Sequence, residues 1–250
     1  MSLAGRHALV TGGSSGAGAA IARALAGAGA RVTIAGRNAE ALAAVAGAEM
    51  RFATCDVTKP DEVRDMFAAA GAEWGAPEIV VANAGSAASR PFLKTSPAGF
   101  AAMVDLNLGG VFATWQAALG PMLEAGWGRL VAIASTAGLR GYPYVSGYCA
   151  AKHGVIGLTR ALALETAKAG VTVNAVCPGY MLTPMLERSI ETIMARTGRS
   201  RAEAEAPLLA ANPQGRFVEV DEVAAAVLWL CGDAAGSVTG QAISISGGEA

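Results

Sequence analysis

The chain has 250 residues, long enough to bury a sizeable core in one α/β domain. Hydrophobic residues make up 53% and charged residues 16%, which excludes a disordered chain, and a net charge of −1 gives no electrostatic grip on nucleic acid. Four scattered cysteines (Cys55, Cys149, Cys177, Cys231) without a CxxC pair, and only two histidines, exclude a disulfide framework and a zinc cluster, so no metal is expected.

From the N-terminus, "MSLAGRHALVTGG" runs straight into a strand, and no run of 18 or more residues is apolar without glycine or charge. The expectation is a soluble, cytoplasmic protein that neither enters nor binds a membrane. Strand-like runs fall at 7–12, 31–36, 50–55, 78–83, 129–135, 171–177 and 242–246. Alanine-rich helical segments fill the gaps at about 16–28, 38–47, 60–73, 97–124, 147–168 and 221–231, and this alternation predicts βα units winding one parallel sheet. Most of the strands are apolar throughout, as a sheet covered by helices on both faces requires.

The first strand and helix are joined by "VTGGSSGAG", with Gly12, Gly16 and Gly18 spaced as GxxxGxG and Ser14 and Ser15 between them. Glycine permits a tight turn and a close backbone approach to a pyrophosphate, and the following helix supplies N–H donors and a positive dipole. After the second strand the chain reads "IAGRN". Gly36 offers no carboxylate for ribose hydroxyls, and Arg37 follows as a fixed cation suited to a 2′-phosphate, so NADP (NADPH) is favoured over NAD. Asp56, closing the third strand, is a candidate for the adenine amino group or a simple helix cap.

The fourth strand ends in "NAG" (83–85), the fifth in Ser135, and the next helix carries "SGYCAAK", with Tyr148 and Lys152 one turn apart on one face. The sixth strand ends in Pro178 and Gly179. In this order the motifs resemble the short-chain dehydrogenase/reductase family over essentially the whole chain. The resemblance implies a Rossmann-type doubly wound parallel sheet of about seven strands, helices on both faces, and a homotetramer. It also implies an oxidoreductase that moves a hydride between a nicotinamide cofactor and a small-molecule ketone or secondary alcohol.

By the same resemblance Ser135 and Tyr148 polarise a carbonyl, Tyr148 exchanges the proton, and Lys152 lowers the tyrosine pKa and holds the nicotinamide ribose. Asn107 in "MVDLNLGG" matches a residue holding a water that links the lysine to solvent, with Gly109 and Gly110 able to loosen the helix. Asn83 would stabilise the central strands, Gly85 would pass close to the adenosine ribose, and Thr183 would bind the carboxamide or merely cap a helix before Pro184. His153 is expected to pack rather than react.

Residues 178–217 are too long for an ordinary connection, and two helical pieces within them predict a small lid, an insertion at about 180–216 in a single domain spanning 1–250. The segments "PGYMLTPMLE" and "NPQGRFVEVDEV" resemble 3-hydroxybutyrate dehydrogenases and, more broadly, 3-oxoacyl thioester reductases. Ala137, Val145, Ala87 and Ala88 stand where the hydroxybutyrate enzymes grip a carboxylate; Arg90, Arg140 and Arg188 are possible replacements. The cleft candidates Leu139, Tyr142, Tyr144, Met181, Met185, Leu186, Ile190 and Met194 are apolar or aromatic, so a bulky, mostly uncharged ketone or a 3-oxoacyl thioester is expected. The alternatives are an NAD-dependent 3-hydroxy acid dehydrogenase, a non-catalytic dinucleotide sensor, and a nucleotide-sugar epimerase, for which too few residues follow the last strand.

Overall fold

In the computed structural model, which describes residues 2–250, the seven strands lie where the apolar runs place them. They are β1 His7–Thr11, β2 Arg31–Gly36, β3 Arg51–Thr54, β4 Ile79–Ala82, β5 Gly128–Ile133, β6 Val171–Pro178 and β7 Ala242–Ile245. All pairings are parallel, in the order β3-β2-β1-β4-β5-β6-β7. The chain winds outward from β1 to β3, then restarts at β4 and winds the other way. Strand order reverses between β1 and β4, and ligands of open parallel sheets bind beyond the strand ends at such a point.

Alternate strand residues serve two core layers. Ala8, Val10, Val81 and Val131 pack with α1 (Gly16–Gly27), α2 (Ala39–Ala46) and α9 (Val220–Cys231). Leu9, Val80, Leu130 and Val173 pack with α3 (Pro60–Trp74), α5 (Gly110–Ala125) and α6 (Ser146–Thr166). Burial on both faces is why these strands show no polar alternation.

The segment read as one helix over 97–124 is interrupted. It forms α4 (Pro97–Val104), a π-helical turn at Asp105–Gly109, and α5. The Gly110 N–H bonds back to the Asp105 carbonyl, five residues earlier. A Cβ at Gly110 would stand 2.7 Å from Val57 Cγ2, so glycine lets the widened turn press against the loop after β3.

The lid consists of α7 (Pro184–Thr197) and α8 (Arg201–Leu209), capped by Thr183 and by a Ser200–Glu203 capping box. Leu186, Ile190 and Ala204 form its own small core, with Met194 packed against them. Leu186 and Ile190, expected on the cleft, are therefore interior residues: α7 turns that face toward α8.

Candidate active site

At the end of β1 the chain turns through Gly12 (φ +66°) and Gly16 (φ +52°) before α1 begins. Added side chains would fill this turn. A Cβ at Gly12 would lie 2.7 Å from Asn83 Nδ2, and one at Gly18 would lie 2.5 Å from the same atom while overlapping the Gly12 carbonyl. Asn83 Nδ2 donates to the carbonyls of Thr11 (3.0 Å) and Gly12 (3.1 Å), and Thr11 Oγ1 accepts from the N–H groups of Asn83 and Ala84, each at 3.1 Å. The exchange clamps β1 to β4 at the reversal point. Thr11, which completes it, carries no motif signal in the sequence.

Ser15 is the N-cap of α1 but its side chain makes no capping bond, which leaves the positive helix end turned to the cleft without a side-chain acceptor. The cleft measures about 290 Å³ and is lined by Gly12, Ser14, Ser15, Gly16, Gly18, Arg37, Asp56, Asn83, Gly85 and Thr183. Bare backbone, an open helix N-terminus and a terminal cation suit a dinucleotide phosphate, so the residues present fit the expected cofactor. Met181, Met185 and Arg188 line the same space, although the sequence reading gives them to the substrate end. α7 starts directly over the phosphate turn: Thr183 Cγ2 would stand 3.2 Å from a Cβ at Gly16.

Asp56 spends Oδ1 on the N–H (3.0 Å) and hydroxyl (2.8 Å) of Thr58, and these bonds hold its carboxyl below the usual range. Thr183 accepts from the Leu186 N–H at 3.4 Å as the cap of α7, while its side chain still faces the cleft.

Beyond the nucleotide cleft, Ser135 leaves β5 and accepts from the Ala137 N–H at 3.1 Å, starting a short 3₁₀ turn. A Cβ at Gly138 would collide with the Lys152 carbonyl at 2.7 Å, so glycine brings this turn against α6 and sets Ser135 beside Tyr148. Burial pushes the Tyr148 hydroxyl up to about 12, while hydrogen bonding to Ser135 pulls the other way. Tyr148 is half-buried as a residue.

Lys152 is 4% exposed, and its Nζ donates to the Ile133 carbonyl at 2.7 Å. Burial pushes this ammonium down to about 8. Within the chain itself the causes acting on Tyr148 are its burial and its bond to Ser135, while the expected lowering calls on Lys152 together with a cationic nicotinamide. The ammonium sits 5.6 Å from the centre of the phenol ring and is satisfied by backbone, so desolvation decides both groups.

Asn107 is fully buried in the π turn. Its Nδ2 donates to the carbonyls of Ser86 (2.9 Å) and Met103 (3.0 Å), and its Oδ1 accepts from the Ser86 N–H at 3.3 Å. These bonds fix the segment after "NAG". A Cβ at Gly85 would lie 2.6 Å from Asn107 Oδ1 and 3.8 Å from Lys152 Nζ, so the three residues converge. His153 is exposed on the outer face of α6, bonded to the Cys149 carbonyl at 2.9 Å, and is neither packed nor catalytic in position.

On the far side, Pro178 ends β6 and the Gly179 N–H donates to the Ile245 carbonyl at 3.0 Å. Tyr142 Oη lies 2.8 Å from Thr136 Oγ1 and hydrogen-bonds the Glu249 carboxylate, while Tyr180 packs edge-on to Tyr142. Burial, then the Glu249 bond, raises the Tyr142 pKa. Of the three arginines proposed as carboxylate anchors, Arg188 is in the nucleotide cleft, Arg140 bonds the Glu249 backbone carbonyl at 3.2 Å, and the Arg90 N–H donates to the Tyr144 carbonyl at 2.7 Å. Tyr144 holds φ at +68°, the one non-glycine in that region among the described residues.

A family model described as enoyl-(acyl carrier protein) reductase matches residues 12–249. D-beta-hydroxybutyrate dehydrogenase of Rhizobium meliloti (strain 1021) is 38% identical over 97% of this chain and 98% of the relative. The 3-oxoacyl-acyl-carrier-protein reductase of Chlamydia muridarum is 34% identical over 99% of this chain and 98% of its own length. Among solved structures, a variant of actinorhodin polyketide ketoreductase with NADPH superposes with a TM-score of 0.92 at 39% identity, covering 98% of this chain and 97% of that one. Levodione reductase superposes at 0.93 and 34% identity, covering 98% of each.

Proposed function

The chain belongs to the short-chain dehydrogenase/reductase family and is an oxidoreductase of ketones and secondary alcohols; on that premise we propose that it uses NADPH to reduce a bulky, mostly uncharged ketone or 3-oxoacyl thioester. The observation that carries the reading is the meeting of Ser135, Tyr148 and Lys152 at the ends of β5 and α6, next to the glycine turn between β1 and α1. The whole of 1–250 acts as one catalytic unit under its lid.

The bound cofactor supplies a hydride to the carbonyl carbon. Gly12, Gly16, Gly18 and the N-terminus of α1 receive its pyrophosphate, Asn83 and Gly85 shape the wall, Arg37 faces the 2′-phosphate, and Thr183 with Pro178 and Gly179 closes the nicotinamide end. Ser135 and Tyr148 direct two hydroxyls at the carbonyl oxygen. Tyr148, kept protonated by its burial, gives its proton to that oxygen as negative charge develops there. Lys152 holds the ribose and restores the proton, and Asn107 positions the route to solvent.

NADPH is favoured because the end of β2 presents an exposed Arg37 next to the featureless Gly36. An uncharged substrate is read from the small side chains at Ala87, Ala88, Ala137 and Val145, and from Arg188 lying in the nucleotide cleft and Arg140 being engaged by the Glu249 carbonyl. Exposed Phe100, Phe112 and Leu164 on α4, α5 and α6 support a homotetramer. NADPH and NADH titrated against a panel of ketones, 3-oxoacyl thioesters and their alcohols test the reading: turnover is expected with NADPH, and a protein that oxidises or reduces none of them sinks it.

A further inference from the structure

After β7 the chain turns back through Gly247 (φ +64°) and Gly248 (φ +96°). The turn is anchored on both sides. A Cβ at Gly247 would overlap the side chain of Asn212, which itself donates to the Arg216 carbonyl at 2.8 Å. Arg140 Nη1 holds the Glu249 carbonyl at 3.2 Å, and the Ala250 N–H reaches Ser246 Oγ at 3.3 Å.

The Glu249 side chain is thereby carried over the ends of β5 and β6. Its Oε1 accepts from Tyr142, which is tied to Thr136, the neighbour of Ser135. Its Oε2 is buried and has no partner. The other buried side-chain polar atoms without a partner among the described residues are Trp115 Nε1, in the core under α5, and Arg129 Nε, at the opposite end of β5. Of the three, only Glu249 Oε2 belongs to a side chain bonded through Tyr142 to Thr136, the neighbour of Ser135. A Cβ at Gly179 would be 3.3 Å from it, so glycine leaves the carboxylate its room. Arg140 contacts the Glu249 backbone, and none of the ion pairs among the described residues includes the Glu249 carboxylate.

A buried acceptor without a donor is costly until a ligand supplies one, and a site built for a hydroxyl rejects an analogue that lacks it. A second carboxylate brought against the first is disfavoured by like-charge repulsion. We propose that Glu249 is a specificity-determining residue: its free oxygen selects carbonyl substrates bearing a hydroxyl donor, and its charge turns away free carboxylic acids. The inference rests on the reductase reading above. It separates this chain from its hydroxybutyrate dehydrogenase relatives, whose named substrate is an acid.

The test compares kcat/KM for 3-oxobutyrate with its methyl ester, and for a hydroxyketone with its deoxy counterpart, in the wild type, Glu249→Gln and Glu249→Ala. The wild type is expected to favour the ester and the hydroxyketone, each by about tenfold or more. Glu249→Gln should shrink the ester preference by about tenfold, and Glu249→Ala should erase the hydroxyl preference. A wild type that handles acid and ester alike overturns the inference whether or not the variants fold, as do variants with unchanged ratios. Absence of turnover with every ketone would instead overturn the reductase reading, and this inference with it.

Discussion

Lys152 reaches past Tyr148 on the same face of α6 and gives its hydrogen bond to the Ile133 carbonyl at 2.7 Å. In the protein itself, loss of water is the largest cause of the shift of both members of the pair, the half-buried Tyr148 and the buried Lys152. Tyr148 is held protonated and Lys152 is poised to lose its charge near pH 8. This division suits the proposed carbonyl reduction, in which the phenol is to deliver a proton it already carries.

In the proposed reaction, replacing Tyr148 by Phe removes that proton and one of the two hydroxyls assigned to the carbonyl oxygen. Steady-state reduction should fall by roughly 10²–10⁴, while fluorescence titration finds NADPH affinity little changed. Retained turnover would discard the assignment of Tyr148.

The Lys152 shift sets a pH dependence whose sign can be stated. Its folded pKa of about 8 lies below the ordinary lysine value of about 10.4, so between these pH values the unfolded chain binds the extra proton. Burying the ammonium weakens the fold at pH 7, and that penalty is relieved as pH rises from 8 toward 10. Measured by urea unfolding, wild type should gain about 2 kcal/mol over Lys152→Met between pH 8 and pH 10. A difference that stays flat with pH would contradict the buried ammonium.

Gly18→Ala places a methyl group against the Gly12 carbonyl and Asn83 Nδ2. The turn must open and the Asn83 clamp must yield, so stability should drop by about 1–3 kcal/mol in thermal or urea unfolding. Nucleotide binding should weaken more than tenfold in the same preparation.

Arg37→Ala removes the cation at the end of β2. Charge-assisted bonds to a phosphate are worth about 1.5–3 kcal/mol, so kcat/KM with NADPH should fall by roughly 10- to 100-fold while that with NADH changes little. Equal use of the two cofactors by the wild type would refute the role given to Arg37.

Asn107→Ala leaves the half-buried Ser86 N–H and the carbonyls of Ser86 and Met103 without their partner. The expected loss is about 1–3 kcal/mol in unfolding free energy. Serine at this position should restore little, since it cannot span from Met103 to Ser86. Asp should fare worse than Ala, because its carboxylate would face both carbonyls.

Periodicity and spacing determine the strands, the phosphate turn and the order of the reactive residues along the chain. Each of these rests on local chemistry: glycine where a turn needs positive φ or close approach, apolar runs where both faces of a sheet are covered, Ser135 and Tyr148 at the ends of consecutive elements. What tertiary structure alone decides is where side chains of opposite ends of the chain meet. Thr11 pairs with Asn83 and Ala84 across the reversal of strand order. Leu186 and Ile190 turn into a lid core once α8 folds against α7. Arg188 reaches the nucleotide cleft, and Glu249 arrives at Tyr142 from 107 residues away. The burial that sets the charges of Tyr148 and Lys152 is likewise a property of packing, because water is excluded by neighbours that no four-residue motif contains.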